Sequence, residues 1–318
     1  MTVLSHISEH INENCYIYDY QEGPIPYIGE FFSALTAIVW AFAVILLKKS
    51  GDSVHPIALN LFKNSSAFIL FIITSLVLNQ SLFYPAPLED YLLVFVSGVL
   101  GIGIADTFFL VSLNLLGAGL SAIVACLYSP FIIGLSIMWL GDSLSWVQII
   151  GICLIISSIL FISGIKTQGK TNTKRLWMGI GWGVLAEATI AIGIVMIKPL
   201  LNQSPLLWVT EVRLFGGVVI LFIVLQFLPN RKTIINSLFH LKSWKFTISG
   251  SFFGAYAAMI LWLAGMKFTQ TSTAAALNQT SNIFIFIFAA LFLKEKITAT
   301  RVAAIVLAVV GAILVTFS

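Results

Sequence analysis

Charged residues are scarce in this chain, because Asp, Glu, Lys and Arg together make up 9% of its 318 residues. Soluble globular proteins carry about 25%. The 3 cysteines form no CxxC pair, and the chain contains no HExxH, GxSxG or Walker A motif. These absences argue against a disulfide framework, a hydrolytic enzyme and direct use of ATP. We expect no cofactor, no nucleic-acid partner and no metal, and we do not read His6 and His10 of the polar N-terminal tail as metal ligands.

Long apolar runs dominate the sequence instead, with 59% hydrophobic residues and a mean hydropathy of +1.01. A run of about 18 or more apolar residues can cross a bilayer as a helix, and lipid leaves the backbone few other ways to pair its polar groups. The sequence therefore predicts an all-α, polytopic membrane protein in contact with the lipid bilayer. Ten transmembrane helices are expected at 30–48, 55–78, 91–113, 119–140, 146–165, 177–198, 207–228, 245–266, 270–293 and 299–317.

The chain repeats itself at an offset of about 150 residues, which indicates two halves of five helices each. An odd number of helices per half predicts that the second half enters the membrane from the opposite side, as in the inverted repeats of transporters. We divide the chain into a polar tail at 1–29, a first repeat at 30–165, a basic linker at 166–176 and a second repeat at 177–318. The matched residues are Gly29 with Gly179, Leu35 with Leu185, Ala41 with Ala191, Lys48 with Lys198 and Lys63 with Arg213.

Basic loop residues are distributed unequally between the two sides of the membrane. Of the 17 Lys and Arg residues, 13 fall on the side where the first span ends, which we call the basic side, and 2 fall on the other side. Positive charge marks the cytoplasmic side of a membrane protein. The count therefore predicts a cytoplasmic basic side and places both termini outside, with a bacterial-type inner membrane as the expected location.

Three segments resemble EamA-type members of the drug/metabolite transporter superfamily. Residues 34–64 resemble the family's opening, with Trp40, Pro56 and Lys63 in place, and 119–145 and 272–298 resemble its fourth and ninth spans, with Asp142 and Glu295 in the acidic positions. The resemblance implies a small-molecule transporter, more often for export than for uptake. The family is generally described with cytoplasmic termini, which conflicts with the loop charges of this chain.

Ionisable residues inside the predicted spans are the first candidates for a substrate site, since each costs about 2.5 to 3.5 kcal/mol at a helix centre. Glu187 lies about ten residues into its span, near the midplane, where a carboxyl group suits proton binding and release. Lys63 and Arg213 are placed to bind an anionic group such as a substrate carboxylate. A structural hydrogen bond is the alternative for Glu187, and an internal ion pair or snorkelling is the alternative for the two cations.

Further candidates carry weaker signals. Asp106 follows a run of glycines that is typical of close helix packing, and Glu211 sits in what we expect to be the first turn of its helix, where the helix dipole alone favours an acid. Polar side chains such as Asn278 can line a cavity or bind a neighbouring helix. The aromatic candidates for stacking on a substrate are Trp40, Tyr128, Tyr256 and Trp262.

The sequence as a whole predicts a secondary transporter that moves a small polar metabolite, such as an amino acid or a related zwitterion, by alternating access. Export and proton coupling through Glu187 are the specific expectations. Efflux of lipophilic cations is the alternative within transport, and a membrane receptor or an intramembrane enzyme is the alternative outside it. No oligomeric state is predicted.

Overall fold

The computed structural model describes residues 27–140, 145–163, 173–201, 203–239, 241–269 and 271–317. Within these ranges the chain is helical and contains no strand, which confirms the all-α prediction. The predicted polar tail up to residue 26, with His6 and His10, lies outside the described residues, as do Asp142 and most of the basic linker.

Ten apolar helical spans, α1 to α10, cross the molecule close to the predicted positions. Eight have the length and apolar composition of a full membrane span, and shorter apolar helices at Trp146–Phe161 and Leu277–Leu293 belong to the other two. Two of the connections between spans carry short helices, Lys198–Leu201 and Arg231–Ser237. The spans are α1 Ile28–Gly51, α2 Pro56–Val77, α3 Leu88–Leu116, α4 Ala118–Ala125 with Tyr128–Leu140, α5 Trp146–Ser163, α6 Thr173–Val195, α7 Leu206–Phe227, α8 from Leu241–Ser251 through Ala258–Phe268, α9 Thr271–Gln279 with Ser281–Leu293, and α10 Ala299–Phe317.

Irregular helix geometry occurs at matching places in the two halves. Within α3 the segment Val99–Ala105 is a π-helix, and within α8 the segment Phe252–Ala257 is one too. The helix α4 is interrupted after Ala125 and α9 after Gln279. The two halves therefore depart from a plain α-helix in the same two ways. Single π-turns are frequent at functional sites, and transporters often bind their substrates at broken spans.

The helices pack in a pattern that stays the same when the two halves are exchanged. The first span α1 packs against α8 and α9, and its counterpart α6 packs against α3 and α4. Three further pairs map onto themselves on exchange, namely α2 with α7, α4 with α9 and α5 with α10. Both halves therefore build one bundle, and each half completes the other.

Glycines allow the closest helix contacts. A Cβ atom on Gly151 of α5 would lie 2.7 Å from the carbonyl oxygen of Gly311 of α10, so the two backbones touch at this crossing. Gly250 and Gly254 of α8 face α1, as their GxxxG spacing predicts. The same spacing in α6 acts through Gly179 and Gly183, whereas Gly181 has open space beside it.

Candidate functional site

The buried cation of α2 meets the acid of α3. Lys63 Nζ lies 2.5 Å from Asp106 Oδ2, and the two side chains are 5% and 22% exposed. Of the readings that the sequence left open for Lys63, the structure shows the internal ion pair. The pair joins two spans of the first half and leaves little charge there for a ligand to neutralise.

Two buried asparagines hold the irregular part of α3 beside Lys63. Asn60 Nδ2 donates to the carbonyl oxygens of Ile102 and Gly103 at 3.0 and 3.1 Å, and Asn64 Nδ2 donates to Asn60 Oδ1 at 2.8 Å. A π-helix bonds i to i+5, so its carbonyl groups are spaced differently from those of an α-helix, and a buried carbonyl needs a donor. Sequence reasoning missed these residues, although two asparagines that flank a lysine inside an apolar run were a usable signal.

Arg213 on α7 differs from Lys63, its counterpart in the repeat. Its backbone lies directly against Gly98 of α3, and its Nη2 atom lies 3.0 Å from the position of a Cβ on Gly101. Among the residues that the structure describes, the guanidinium forms no hydrogen bond and no ion pair, and its Nε atom is buried without an acceptor. It is close enough to Asp106 and Tyr128 for their charges to interact. Packing on two glycines, rather than an ion pair, holds this cation.

Glu187 on α6 faces the same region. Its charge interacts with that of Asp106, and it lies within electrostatic reach of Cys126 and Tyr128 of α4. The side chain is partly exposed and has no hydrogen-bond or ion-pair partner in the described part of the chain. A carboxylate beside a second carboxylate is disfavoured unless a cation or a proton joins it. Glu187 is thus an acid without a fixed partner.

The breaks in α4 and α9 meet at this site. Gln279 Nε2 donates to Ser129 Oγ at 2.6 Å, and Asn282 Nδ2 contacts Cys126 Sγ at 3.4 Å. Asn278 is partly exposed on the turn before the break in α9, and Tyr128 follows the break in α4. At an offset of 152 residues, 126–128 of the first half align with 278–280 of the second. The two interruptions therefore occur at matching places of the repeat and touch each other.

Three of the aromatic candidates pack against residues of other helices. Trp40 stacks on Phe109 with 6.3 Å between ring centroids, the Tyr256 hydroxyl contacts Thr74 Oγ1 at 2.6 Å, and Trp262 packs in the apolar cluster around Phe71. All three contacts lie between helices.

Glu211 requires a correction, since the structure contradicts its expected place in the first turn of its helix. The helix α7 begins at Leu206, with no acid in its first turn, and the buried Glu211 carboxylate accepts a hydrogen bond from the Ser75 hydroxyl. The helix begins within one residue of the expected start at 207, so the helix was placed correctly and only the assignment of Glu211 to its first turn was wrong.

Glu295 binds the beginning of α4 on the basic side. Its Oε1 accepts from the backbone amide of Ala118 at 2.8 Å, its Oε2 accepts from that of Gly119 at 3.2 Å, and Arg301 Nη1 lies 3.8 Å from Oε2. Free amides at a helix start attract a carboxylate. This contact closes the basic end of the bundle between α4 and the segment that follows α9.

Comparison with known proteins agrees with this architecture. Residues 27–164 and 177–317 each match the model of the EamA-like transporter family. The chain is similar to an uncharacterized transporter of Archaeoglobus fulgidus, with 24% identity over 286 residues that cover 90% of this chain and 97% of that protein. A solved crystal structure of a protein superposes with a TM-score of 0.57 at 16% identity, over 88% of this chain and 96% of that one, and this likeness concerns the fold alone.

Proposed function

Because the chain belongs to the EamA-like transporter family, we propose that it carries a small zwitterion, such as an amino acid, across the membrane by alternating access. The family and the transporter of Archaeoglobus fulgidus identify a multi-pass membrane transporter rather than an enzyme. The nature of the substrate, the direction of transport and the coupling ion are the proposed parts.

The observation that carries the substrate class is a pair of opposite charges without fixed partners. Arg213 and Glu187 come from different helices, and Tyr128 lies within electrostatic reach of both. Lys63 and Asp106 beside them already neutralise each other. A ligand that brings one carboxylate and one ammonium group satisfies both free side chains, since Arg binds a carboxylate through two parallel hydrogen bonds. An uncharged ligand would leave both charges desolvated, which is costly.

Alternating access is supported by the exchange of the two halves. The packing pattern is the same after exchange, and each half has five spans. With an odd number of spans, the two halves run in opposite directions through the membrane. Equivalent helices of the two halves then form gates on opposite faces of the membrane. The broken helices α4 and α9 meet between the halves, which is where such transporters bind their substrates.

Proton coupling and export complete the proposal. Glu187 is the proton carrier, because its carboxyl group has Asp106 as its acidic neighbour and has no fixed cation. Export is proposed because it is the more usual direction in the family.

The surplus of basic loop residues favours a cytoplasmic basic side, so a reporter fused after Ser318 is expected outside the cell. A cytoplasmic reporter signal would reverse this topology.

Efflux of lipophilic cations has one observation in its favour, the proximity of Glu187 and Asp106. Two carboxylates attract a cation. Asp106 is already bound to Lys63, however, and the free guanidinium of Arg213 repels a cationic ligand. The charges of the site therefore favour the zwitterion.

A thermal-shift screen of the purified protein tests the substrate class, because a ligand that binds the folded state raises the melting temperature by mass action. The panel contains the twenty amino acids, their decarboxylated amines and the matching carboxylic acids without the amino group. We expect shifts with one or more amino acids and smaller shifts with both sets of analogues. Shifts with quaternary or aromatic cations alone would contradict the proposal, and counterflow of the best ligand in proteoliposomes then tests transport itself.

A further inference from the structure

A cluster on the basic side, far from the charged site, brings two lysines to one aromatic ring. Lys49 Nζ of α1 lies 5.3 Å from the centroid of the Phe246 ring of α8, and Lys245 Nζ lies 5.1 Å from the same centroid. The ring attracts each ammonium group. Two like charges that share one ring also repel each other, so an anion that contacts both ammonium groups would stabilise the arrangement.

The described residues on the basic side offer no free carboxylate to this pair. Asp52 binds the neighbouring Lys48 at 2.5 Å, and Glu295 binds the start of α4 together with Arg301. Lys49 and Lys245 have no ion-pair partner within the described ranges. Both ammonium groups are therefore available to an anion from outside the described residues.

Exposed apolar side chains surround the two lysines. Leu241, at the start of α8, is 87% exposed, and Phe239 just before it is 62% exposed. Ile248 and Phe252, three and seven residues after Lys245, are 50% and 43% exposed. Residues at this spacing share one face of a helix. The face of α8 below Lys245 is thus apolar and uncovered, while its end carries uncompensated positive charge.

We propose that Lys49, Lys245 and the exposed face of α8 form a binding site for an anionic phospholipid. The two ammonium groups bind the phosphodiester of the headgroup, and an acyl chain lies along Ile248 and Phe252. Phe246 lies between the two ammonium groups. Its neighbour Trp244 makes an edge contact with Phe62 at 5.7 Å. The charge and apolar surface of the site match a lipid better than a free phosphate, since a free anion leaves the apolar face uncovered.

The site is independent of the substrate cluster. Lys49 and Lys245 lie near the ends of α1 and α8, whereas Arg213 and Glu187 lie inside α7 and α6. Because α1 packs on α8 across the two halves, a lipid bound to both lysines holds one helix from each half.

Native mass spectrometry of the full chain in detergent micelles tests the site. The purified protein is incubated with phosphatidylglycerol, with phosphatidylcholine of the same chain lengths, or with inorganic phosphate, and bound lipid is counted by mass. We expect the protein to retain phosphatidylglycerol, to retain much less phosphatidylcholine and to retain no inorganic phosphate. At about 1 kcal/mol for each basic residue at a membrane surface, Lys49→Gln with Lys245→Gln should weaken phosphatidylglycerol binding about 25-fold.

The matched control removes the same charge from lysines that do not contact Phe246. The double variant Lys232→Gln with Lys296→Gln, two exposed basic-side lysines outside α1 and α8, should retain most of the phosphatidylglycerol binding, and Ile248→Ser should reduce binding while leaving the charge intact. Each variant is first checked for monodispersity and melting temperature without lipid, and single substitutions replace a double variant that fails this check. Three results would each overturn the proposal: an equal loss of phosphatidylglycerol binding in both double variants, equal binding of the two lipids, or binding of inorganic phosphate as strong as that of phosphatidylglycerol.

Discussion

The two halves of the molecule share one framework and differ in how they use charge. Each half has a basic residue near the start of its second span, a π-helical segment in its third span and an interruption in its fourth. In the first half the cation Lys63 is bound to Asp106, whereas in the second half Arg213 is unpaired within the described residues. In the register that aligns Ser97-Gly98 with Ser249-Gly250, the counterpart of Asp106 is the apolar Ala258. The second half has a cation in the repeated position but lacks the acid that would bind it.

This difference separates stabilisation from recognition. A buried ion pair in one half fixes α2 against α3, and the same position in the other half leaves a guanidinium free for a ligand. Glu187 adds the opposite charge, and its counterpart at an offset of 150 is the apolar Ala37. The repeat thus supplies the scaffold, and departures from the repeat supply the charges of the proposed substrate site.

The largest expected effect concerns the stability of the first half. Lys63→Met removes the partner of Asp106 and should lower the free energy of unfolding by about 2 to 4 kcal/mol, because a half-broken buried pair leaves a desolvated charge. The double variant Lys63→Met with Asp106→Leu should recover most of this loss. Thermal unfolding in detergent, followed by circular dichroism, measures both.

Arg213→Met is the matched substitution in the second half. It should lower the melting temperature much less than Lys63→Met, since Arg213 forms no ion pair or hydrogen bond within the described residues and loses only its longer-range attraction to Asp106. A loss as large as that of Lys63→Met would show that Arg213 has a structural partner and would remove the contrast between the halves.

The next largest effect is on amino-acid binding, and we expect it only for the cation of the second half. Charged hydrogen bonds contribute about 1.5 to 3 kcal/mol, so Arg213→Met should weaken binding of the best amino acid of the panel about tenfold to a hundredfold. Arg213→Lys keeps the charge but loses the bidentate contact with a carboxylate, so it should retain part of the affinity for the amino acid. Isothermal titration of the purified variants checks the order. Arg231→Lys, at an exposed position outside the spans, serves as the control and should bind normally.

A smaller effect is expected for the acid that has no counterpart. Glu187→Gln should weaken binding about tenfold, the equivalent of one charged contact, and should abolish the pH dependence of counterflow in proteoliposomes. Glu211→Gln is the matched control, because Glu211 is bound to Ser75. Unchanged pH dependence in Glu187→Gln, together with a changed profile in Glu211→Gln, would transfer proton coupling to the other acid.

The smallest effect distinguishes the starts of the second span in each half. His55 Nδ1 accepts from the backbone amide of Ile57 at 3.3 Å and caps α2, whereas Pro205 at the start of α7 makes no side-chain cap. Burial holds the pKa of His55 below its ordinary value, so the neutral, accepting form stabilises the folded state above the unfolded pKa of about 6.5. This stabilisation is lost as the pH falls below that value.

His55→Ala should therefore cost about 0.5 kcal/mol at neutral pH and nothing in acid, where the cap of the wild-type chain is protonated. Melting temperatures of both proteins at neutral and acidic pH measure the difference. A constant difference at all pH values would show that His55 acts through packing.

The helix positions and the family were predictable from the sequence, because hydrophobic length alone identifies a membrane span and its repetition identifies the halves. The family model confirms the resemblance to EamA-type transporters. The π-segments were not predictable. An extra residue in a helical turn leaves no trace in composition, and Gly98, Gly101 and Gly103 were interpreted only as packing residues, which they also are.

The charged residues of the candidate site could be picked out from the sequence, but the contacts among them could not. Lys63, Asp106, Glu187 and Arg213 all stood out by their cost in lipid. Which acid binds which cation depends on how α2, α3, α6 and α7 pack against each other. The hydrophobic periodicity of the sequence predicts the helices but not this packing. For aromatic residues, the sequence does not distinguish a contact between helices from a place in a substrate site. Trp40 and Trp262 pack between helices, whereas Tyr128 follows the break in α4.

The π-segment of α3 has a consequence for the direction of every side chain that follows it. One additional residue in a helix rotates the remainder by about 100° relative to an uninterrupted α-helix. Asp106 begins the α-helical part directly after Val99–Ala105, so its aim at Lys63 depends on the length of that segment. If the same residues were wound as a plain α-helix, the composition, the hydrophobicity and the span would be unchanged, yet the carboxylate would point about a quarter of a circle away from its lysine. In this chain, the winding of one short segment sets the direction of an acid in the charged centre.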